Sequence, residues 1–308
     1  MRFRISDTQG LSAVGGIVDD EVEDYPVALS QSNLTTVYYP SGGSVVTLAY
    51  EDNWPEKGDY DVNDVVIKMR ASASYTDNGL SKVKLEGNIS AVGASYHNGF
   101  AVRLYGIDVD TVESNTVRYM LNNELVTSSP IESGRQELIV VITDDVWKLV
   151  KPPPGCDYFN TQDACMGGVG GEFSIALQLQ ESPENQGFSV YNLDPFIFAT
   201  PNTFHGNLVG ESGRGWEVHL KNHEPTEAFN SNLLGMADDA SDPAAGYYFQ
   251  SGNGMPWAFE ITNDWAYPKE FIDLAIAYPE FQGFVESNGN SNSRWFLVSN
   301  AVASKVIY

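Results

Sequence analysis

The chain is poor in positive charge, in cysteine and in histidine: its 308 residues carry 17 Lys plus Arg, two Cys and four His. Set against 41 Asp plus Glu, that deficit leaves a net charge of −24. Such a surface repels phosphate backbones, because nucleic-acid affinity rests on Lys and Arg displacing counterions, so nucleic acid is not an expected partner. The acidity suits a protein working in salt or in calcium-containing water, where cations screen self-repulsion. No run of 18 apolar residues is present, so no transmembrane helix is encoded. The opening Met1-Arg2-Phe3-Arg4-Ile5-Ser6-Asp7 lacks the apolar run of a signal peptide, and an export signal is expected to have been removed or to lie upstream. There is no Gly-x-Ser-x-Gly nucleophile elbow.

Each scarce residue type still carries information. Cys156 and Cys165 stand nine positions apart in a loop rich in Pro and Gly. Their spacing fits neither a CxxC redox motif nor a zinc knuckle. A local disulfide is expected, stabilising the segment by roughly 2 to 3 kcal/mol, and since disulfides persist in oxidising compartments the pair points to export. The histidines are His97, His205, His219 and His223. On a helix, His219 and His223 would share one face as zinc ligands. However, Trp216-Glu217-Val218-His219-Leu220 alternates as a strand does, which is expected to hold the two apart and leave His219 with a structural or a ligand-contacting role.

What the chain has in abundance is acid, and it is concentrated between Glu51 and Asp64. This stretch runs Glu51-Asp52-Asn53-Trp54-Pro55-Glu56-Lys57-Gly58-Asp59-Tyr60-Asp61-Val62-Asn63-Asp64 and leads straight into the apolar Val65-Val66-Ile67. Asp59, Asp61 and Asn63 alternate, so in a turning segment their side chains converge, with Asp64 closing the set. Calcium takes six to eight oxygens in irregular geometry, at about 2.3 to 2.6 Å, whereas zinc and copper prefer His or Cys. An EF-hand would need Gly at its sixth position, Glu at its twelfth and flanking helices; here the β-branched run from Val65 follows instead. The candidate ligands are therefore Glu51, Asp52, Asp59, Asp61, Asn63 and Asp64 around calcium, the alternative being a solvated acidic turn. Asp238-Asp239-Ala240-Ser241-Asp242 reads as a turn before Pro243, and Asp108-Val109-Asp110 as an acidic strand end.

Strands dominate the first 220 residues. Segments 45–50, 65–75, 83–92, 99–105, 116–126, 137–142 and 173–179 are rich in Val, Ile, Thr, Tyr and Phe. Asp77-Asn78-Gly79 marks a hairpin. Many strands without interleaved helices predict an all-β, antiparallel, jelly-roll-like sandwich. The last third changes: residues 271, 274, 275 and 278 make a helical stripe behind Pro268, Pro279 separates a second helical piece at 280–286, and both are expected to pack on the sandwich before a final strand at 295–299. Trp54, Tyr60, Trp257 and Trp265 lie in polar, loop-like stretches where they could stack on sugar rings; core packing is the alternative.

Two sets of residues resemble known families. Tyr50-Glu51-Asp52 through Asp59-Tyr60-Asp61-Val62-Asn63-Asp64-Val65-Val66 forms one block. A second runs from Trp216-Glu217-Val218-His219-Leu220 through Glu224-Pro225-Thr226, Leu234-Gly235-Met236-Ala237-Asp238-Asp239, Tyr247-Tyr248 and Met255-Pro256-Trp257-Ala258 to Tyr267-Pro268-Lys269-Glu270 and Ala277-Tyr278-Pro279-Glu280-Phe281. Together they resemble the LruC-domain family of bacterial envelope and secreted proteins over most of residues 40 to 300. That likeness implies an all-β envelope domain whose biochemical role is poorly defined, with the 152–171 loop as an insertion. Ahead of it, the strand-like Arg2–Ser6, a Gly-rich turn and the acidic run Asp19–Tyr25 resemble the GEVEDY-type ending of long bacterial surface proteins. Residues 1–30 are accordingly expected to belong to a preceding segment, and 31–308 to the sandwich domain, within a larger exported polypeptide.

The function expected from this sequence is a non-enzymatic, calcium-binding module of an exported bacterial surface protein, serving adhesion or recognition of a glycan or peptide. A purely structural spacer stiffened by calcium is the alternative. A polysaccharide-active enzyme is more distant, because any two of the 41 acidic residues could be proposed as its carboxylate pair.

Overall fold

The computed structural model describes residues 2–5, 21–24, 33–181, 185, 187–206 and 212–308, the first two segments as backbone. It divides into two units, Met1–Asn33 and Leu34–Tyr308. In the first, β1 (Arg2–Ile5) pairs antiparallel with β2 (Glu21–Asp24). The Gly-rich turn expected between them lies outside the described residues.

The second unit continues with β3 (Thr35–Tyr39), β4 (Val46–Tyr50), β5 (Val65–Thr76), β6 (Gly79–Ala91), β7 (Asn98–Asp108), β8 (Arg118–Leu121), β9 (Glu124–Leu125) and β10 (Glu137–Thr143). Then come β11 (Val150–Lys151), β12 (Val169–Gly170), β13 (Glu172–Gln178), β14 (Leu193–Ala199), β15 (Glu217–Val218) and β16 (Ala258–Thr262). An eight-stranded sheet has the order β16-β4-β5-β6-β13-β8-β9, with β3 added along β5 beyond β4. A four-stranded sheet runs β10-β7-β14-β15. All of these pairings are antiparallel. The chain is mostly β, an antiparallel multi-sheet sandwich with short helices near its C-terminus.

Alternation explains the layers. Leu48, Ile67, Leu85 and Ile175 of the large sheet face Phe100, Val102, Val140 and Ile197 of the small one in a single buried cluster. The opposite face of the large sheet, through Ala49, Val66 and Ala91, packs against a C-terminal cap built on Trp265, Tyr278, Phe281 and Trp295. Burial of such aromatic and aliphatic side chains supplies the main driving force, about 25 cal/mol per Å² removed from water.

The cap departs from the expected helices. Helix α1 covers Leu274–Ala277 only, and α2 covers Phe281–Glu286. The stripe at 271 fails because Phe271 stands at φ 61° with its ring in solvent, while Pro268 bridges Val306 instead of opening a helix. Residues 295–299 form no strand; they turn into a 3-10 segment, Val298–Asn300, and bury Trp295. Position 116–126 breaks at Asn122 and Asn123, both at positive φ, into the short hairpin β8–β9.

Candidate metal centre

The segment from Glu51 to Asp64 joins β4 to β5 and lies where the large sheet meets the C-terminal cap, since Tyr60 and Val62 are buried in the cap cluster. Tyr60 and Val62 both stand in the left-handed region, at φ 56° and 52°. For a β-branched valine that is a strained conformation, costing about 1 to 3 kcal/mol and usually found where surrounding structure enforces it. Its effect is to send the apolar side chains inward while Asp59, Asp61 and Asn63 turn elsewhere. Oxygens of Glu51, Asp59 and Asp61 lie within 4.8 Å of one another.

The remaining acids are held by donors that fix them. Asp64 Oδ2 accepts from the Asp52 amide at 2.7 Å, and Asp52 Oδ2 accepts from Asn98 Nδ2 at 2.6 Å. Asp61 accepts from the amides of Asn63 at 3.2 Å and Phe271 at 2.7 Å. Asn63 Nδ2 donates to the Pro268 carbonyl at 3.1 Å, which orients the amide and aims Oδ1 away. That Oδ1 and Glu270 both lie against Gly93: a Cβ built there would fall 1.8 Å from Asn63 Oδ1 and 2.8 Å from Glu270 Oε2. Gly93 leaves room for this convergence.

Three of these oxygens are buried without a hydrogen-bond partner: Glu51 Oε2, Asn63 Oδ1 and Glu270 Oε2. A buried polar atom left in that state costs about 1 to 3 kcal/mol. Among the described residues no Lys or Arg pairs with the six acids; Lys57 Nζ goes to Asp273 at 3.1 Å. The electrostatics follow. Burial, then Asp52 and Asp59, push Glu51 up to about 8. Burial, then Asp59, Glu51 and Glu270, push Asp61 up to about 9. Burial raises Asp52 to about 6 and Glu270 to about 7, and together with Asp52 and Glu51 holds Asp64 well above the carboxylate range. Asp59 is raised as well, chiefly by burial. A divalent cation among these groups would remove both the repulsion and the unpaired oxygens, and the donor set is all oxygen, as calcium requires.

Glu270 gave no sign in sequence of belonging to this cluster because it lies about two hundred positions from the loop. The cysteine loop also reaches the site. Cys156 and Cys165 are joined, with Cα atoms 5.7 Å apart. Inside their loop, Phe159 exchanges backbone bonds with Val92, both at 2.9 Å, and the Thr161 carbonyl accepts from the Glu270 amide at 3.0 Å. Beside the acids opens a cavity of about 210 Å³, lined by Asp52, Asp59, Asp64, Glu270 and the rings of Tyr96 and Tyr158, among others. A larger cavity of about 860 Å³, between Lys221, Tyr247, Phe281 and Phe284, gathers a single carboxylate, Glu286.

The aromatic candidates are corrected. Trp54, Tyr60, Trp257 and Trp265 are all buried. Tyr60 donates to the Pro256 carbonyl at 2.7 Å and Trp257 Nε1 to the Glu56 carbonyl at 2.8 Å, so their polar neighbours satisfy the ring heteroatoms while the rings pack inside. His219 is likewise buried and contacts no open surface. Nor are His219 and His223 apart: Nδ1 of each bonds Asp194 at 2.9 Å, because the chain turns between them. His219 Nε2 bonds Glu217 at 2.8 Å, so the ring sits between two carboxylates and not open to a metal. Arg103 and Arg214 complete this network through Asp194 and Glu217, each at 2.8 Å or less.

Asp239 accepts from the Gly235 amide at 2.8 Å, and Asp242 and Asp108 cap 3-10 turns, the structural roles expected of those acids. No helix among the described residues is long and apolar enough to cross a membrane.

Comparison with known proteins adds a family and a fold. The profile of a family described as a domain of unknown function, DUF4842, matches residues 78–296. No curated protein matches. A solved chain from Bacteroides ovatus, provisionally described as a lipoprotein, is similar in structure with a TM-score of 0.65 and 17% identity, over 94% of this chain and 81% of that one.

Proposed function

Because the chain belongs to the DUF4842 family, whose description leaves function open, we propose its role from the site itself: a calcium-binding, non-enzymatic module of an exported bacterial surface protein. The observation that carries this reading is the set of unpartnered, buried oxygens on Glu51, Asn63 and Glu270, the first grouped with Asp59 and Asp61 and the other two set against Gly93, with no Lys or Arg among the described residues paired to these acids. A donor set of oxygens alone, in irregular geometry, suits calcium better than magnesium, which keeps near-octahedral geometry and several waters. The cation joins the β4–β5 loop to the segment Pro268–Phe271, so that its binding energy becomes folding energy.

Export is supported by the Cys156–Cys165 disulfide and by the likeness to a chain described as a lipoprotein. Kinship with LruC-domain proteins belongs to the same reading, and the second resembling block, 216–281, falls inside the residues that the family profile matches. In this role the protein binds and does not turn over a substrate; recognition of a glycan or peptide is the expected output.

Thermal melting with calcium and with chelator tests the reading. At calcium about 100-fold above Kd, linkage gives about 2.7 kcal/mol, which for a chain of this size raises Tm by about 5 to 10 °C. Asp61→Ala is expected to abolish most of that rise. An unchanged wild-type melting curve would sink the proposal.

A further inference from the structure

The acids do not close over the cation. Asp59 is exposed, yet it belongs both to the triad with Glu51 and Asp61 and to the wall of the 210 Å³ cavity. An ion held by this triad would draw on three carboxylates for the six to eight oxygens calcium takes, and its side at Asp59 would face the cavity. The rim of that cavity is aromatic. Tyr96 stands edge to face with Phe204 at 6.1 Å, and Tyr158 with Phe271 at 6.2 Å. Phe204 and Phe271 are 64% and 63% exposed, unusual for Phe. Phe271 is moreover held at φ 61°, its amide tied to Asp61 Oδ2. A non-glycine residue in that region is strained, and strain of this kind collects at ligand sites. The loop that would carry the cation thus also sets an apolar ring beside it.

We propose that this cleft binds a carbohydrate, with a vicinal pair of sugar hydroxyls completing the coordination of the calcium ion at Asp59 while the sugar's apolar face rests on Tyr96 and Phe271. The inference rests on the calcium reading above. Its chemistry is matched on each count. A diol supplies two neutral oxygens to a hard cation. The C–H face of a pyranose suits an exposed ring. The cavity is smaller than the roughly 300 to 1,000 Å³ of pockets for drug-sized ligands, which fits one sugar residue at a chain end. The carboxylate lining disfavours an anionic ligand, so a neutral glycan is the occupant the charges allow.

The test uses the full chain on an array of immobilised neutral glycans, mannans, fucosylated and galactosylated oligosaccharides, alongside immobilised peptides, each with calcium and with EDTA. Calcium-dependent retention on glycans is expected. The double variant Tyr96→Ala/Phe204→Ala should bind about tenfold more weakly, the loss of roughly one aromatic contact, while its calcium-induced melting shift stays that of the wild type. Phe271→Gly, which removes the ring where glycine tolerates the backbone, should weaken retention similarly. A full calcium shift with no glycan retained would overturn the inference alone, as would undiminished retention by both variants or retention of peptides in place of glycans. Absence of the shift in the wild type would overturn the calcium reading as well.

Discussion

Asn63 presents one oxygen to the site because its amide nitrogen is committed to the Pro268 carbonyl, and Gly93 presents no side chain to obstruct it. Gly93→Ala would place a methyl 1.8 Å from that oxygen. Calorimetric titration of this variant should show calcium affinity reduced about tenfold or more, a loss of about 1.4 kcal/mol, and wild-type affinity would remove Asn63 from the ligand set. The acids themselves set a pH dependence. Glu51 and Asp61, raised to about 8 and about 9, hold protons in the folded state that the unfolded chain has released. Stability without calcium therefore falls as pH rises from about 4 towards those values. Calcium needs the ionised acids, so the calcium-induced rise in Tm should grow from about pH 5 to about pH 8. Melting at both ends of that range, with calcium and with EDTA, checks the two slopes; a shift that shrinks as pH rises would contradict them. That these acids gather in one segment was legible in sequence because Glu51 to Asp64 are contiguous. Glu270 was not, since only folding brings it to the loop. Trp54, Tyr60 and Trp257 were misplaced for a related reason: polar neighbours in sequence concealed that each ring faces the core, the Tyr60 hydroxyl and Trp257 Nε1 donating to backbone carbonyls there.

The strands were the legible elements, because β-branched alternation is a local signal and the tight turn at Asp77 and Asn78 joins two long ones, β5 and β6. Strand β14 escaped notice with Pro195 inside it, tolerated there although β14 pairs on both sides. The helical cap misled because its order comes from aromatic packing around Trp265, Tyr278 and Trp295, not from a periodic stripe. Two elements make predictions of their own. The cysteine loop supports the site through Thr161 and Phe159, so Cys156→Ser/Cys165→Ser should lose roughly 2 to 3 kcal/mol in denaturant melts and also lower calcium affinity. Unaltered calcium affinity would make the loop a bystander. The network joining β7, β14 and β15 around His219 responds to pH differently. Burial alone would lower His219, but Asp194 and Glu217 raise it; burial alone would raise those two acids, but His219 and an arginine apiece hold them low. The histidine's share of stability is therefore complete below about pH 6.5 and lost as pH rises through its raised value, while the acids' share is complete above about pH 4 and lost on acidification. His219→Asn leaves two buried carboxylates short of a cation and should cost about 3 to 5 kcal/mol. The difference in stability between wild type and variant should shrink on going from about pH 7 to about pH 10; a constant difference would mean His219 is neutral in the fold.

At the scale of the whole molecule, a net charge of −24 means that any cation stabilises the fold to some degree by screening repulsion spread over the surface. Specific binding and general screening must therefore be separated, and their concentration dependence separates them. Screening acts over a Debye length of about 8 Å at about 0.15 M salt and reaches all exposed acids alike, whereas the buried oxygens of Glu51, Asn63 and Glu270 respond only to an ion that enters the cage. Calcium at about 1 mM, the range of extracellular modules, should thus raise Tm in a background of about 0.15 M sodium chloride that already suppresses surface repulsion. Magnesium at the same concentration should do much less, because it gives up its waters reluctantly. Asp61→Ala should keep the wild-type response to sodium chloride and lose the response to calcium. Equal shifts with calcium and magnesium, or a calcium response that vanishes once sodium chloride is present, would assign the effect to bulk charge and leave the converging acids as a repulsion the fold merely tolerates.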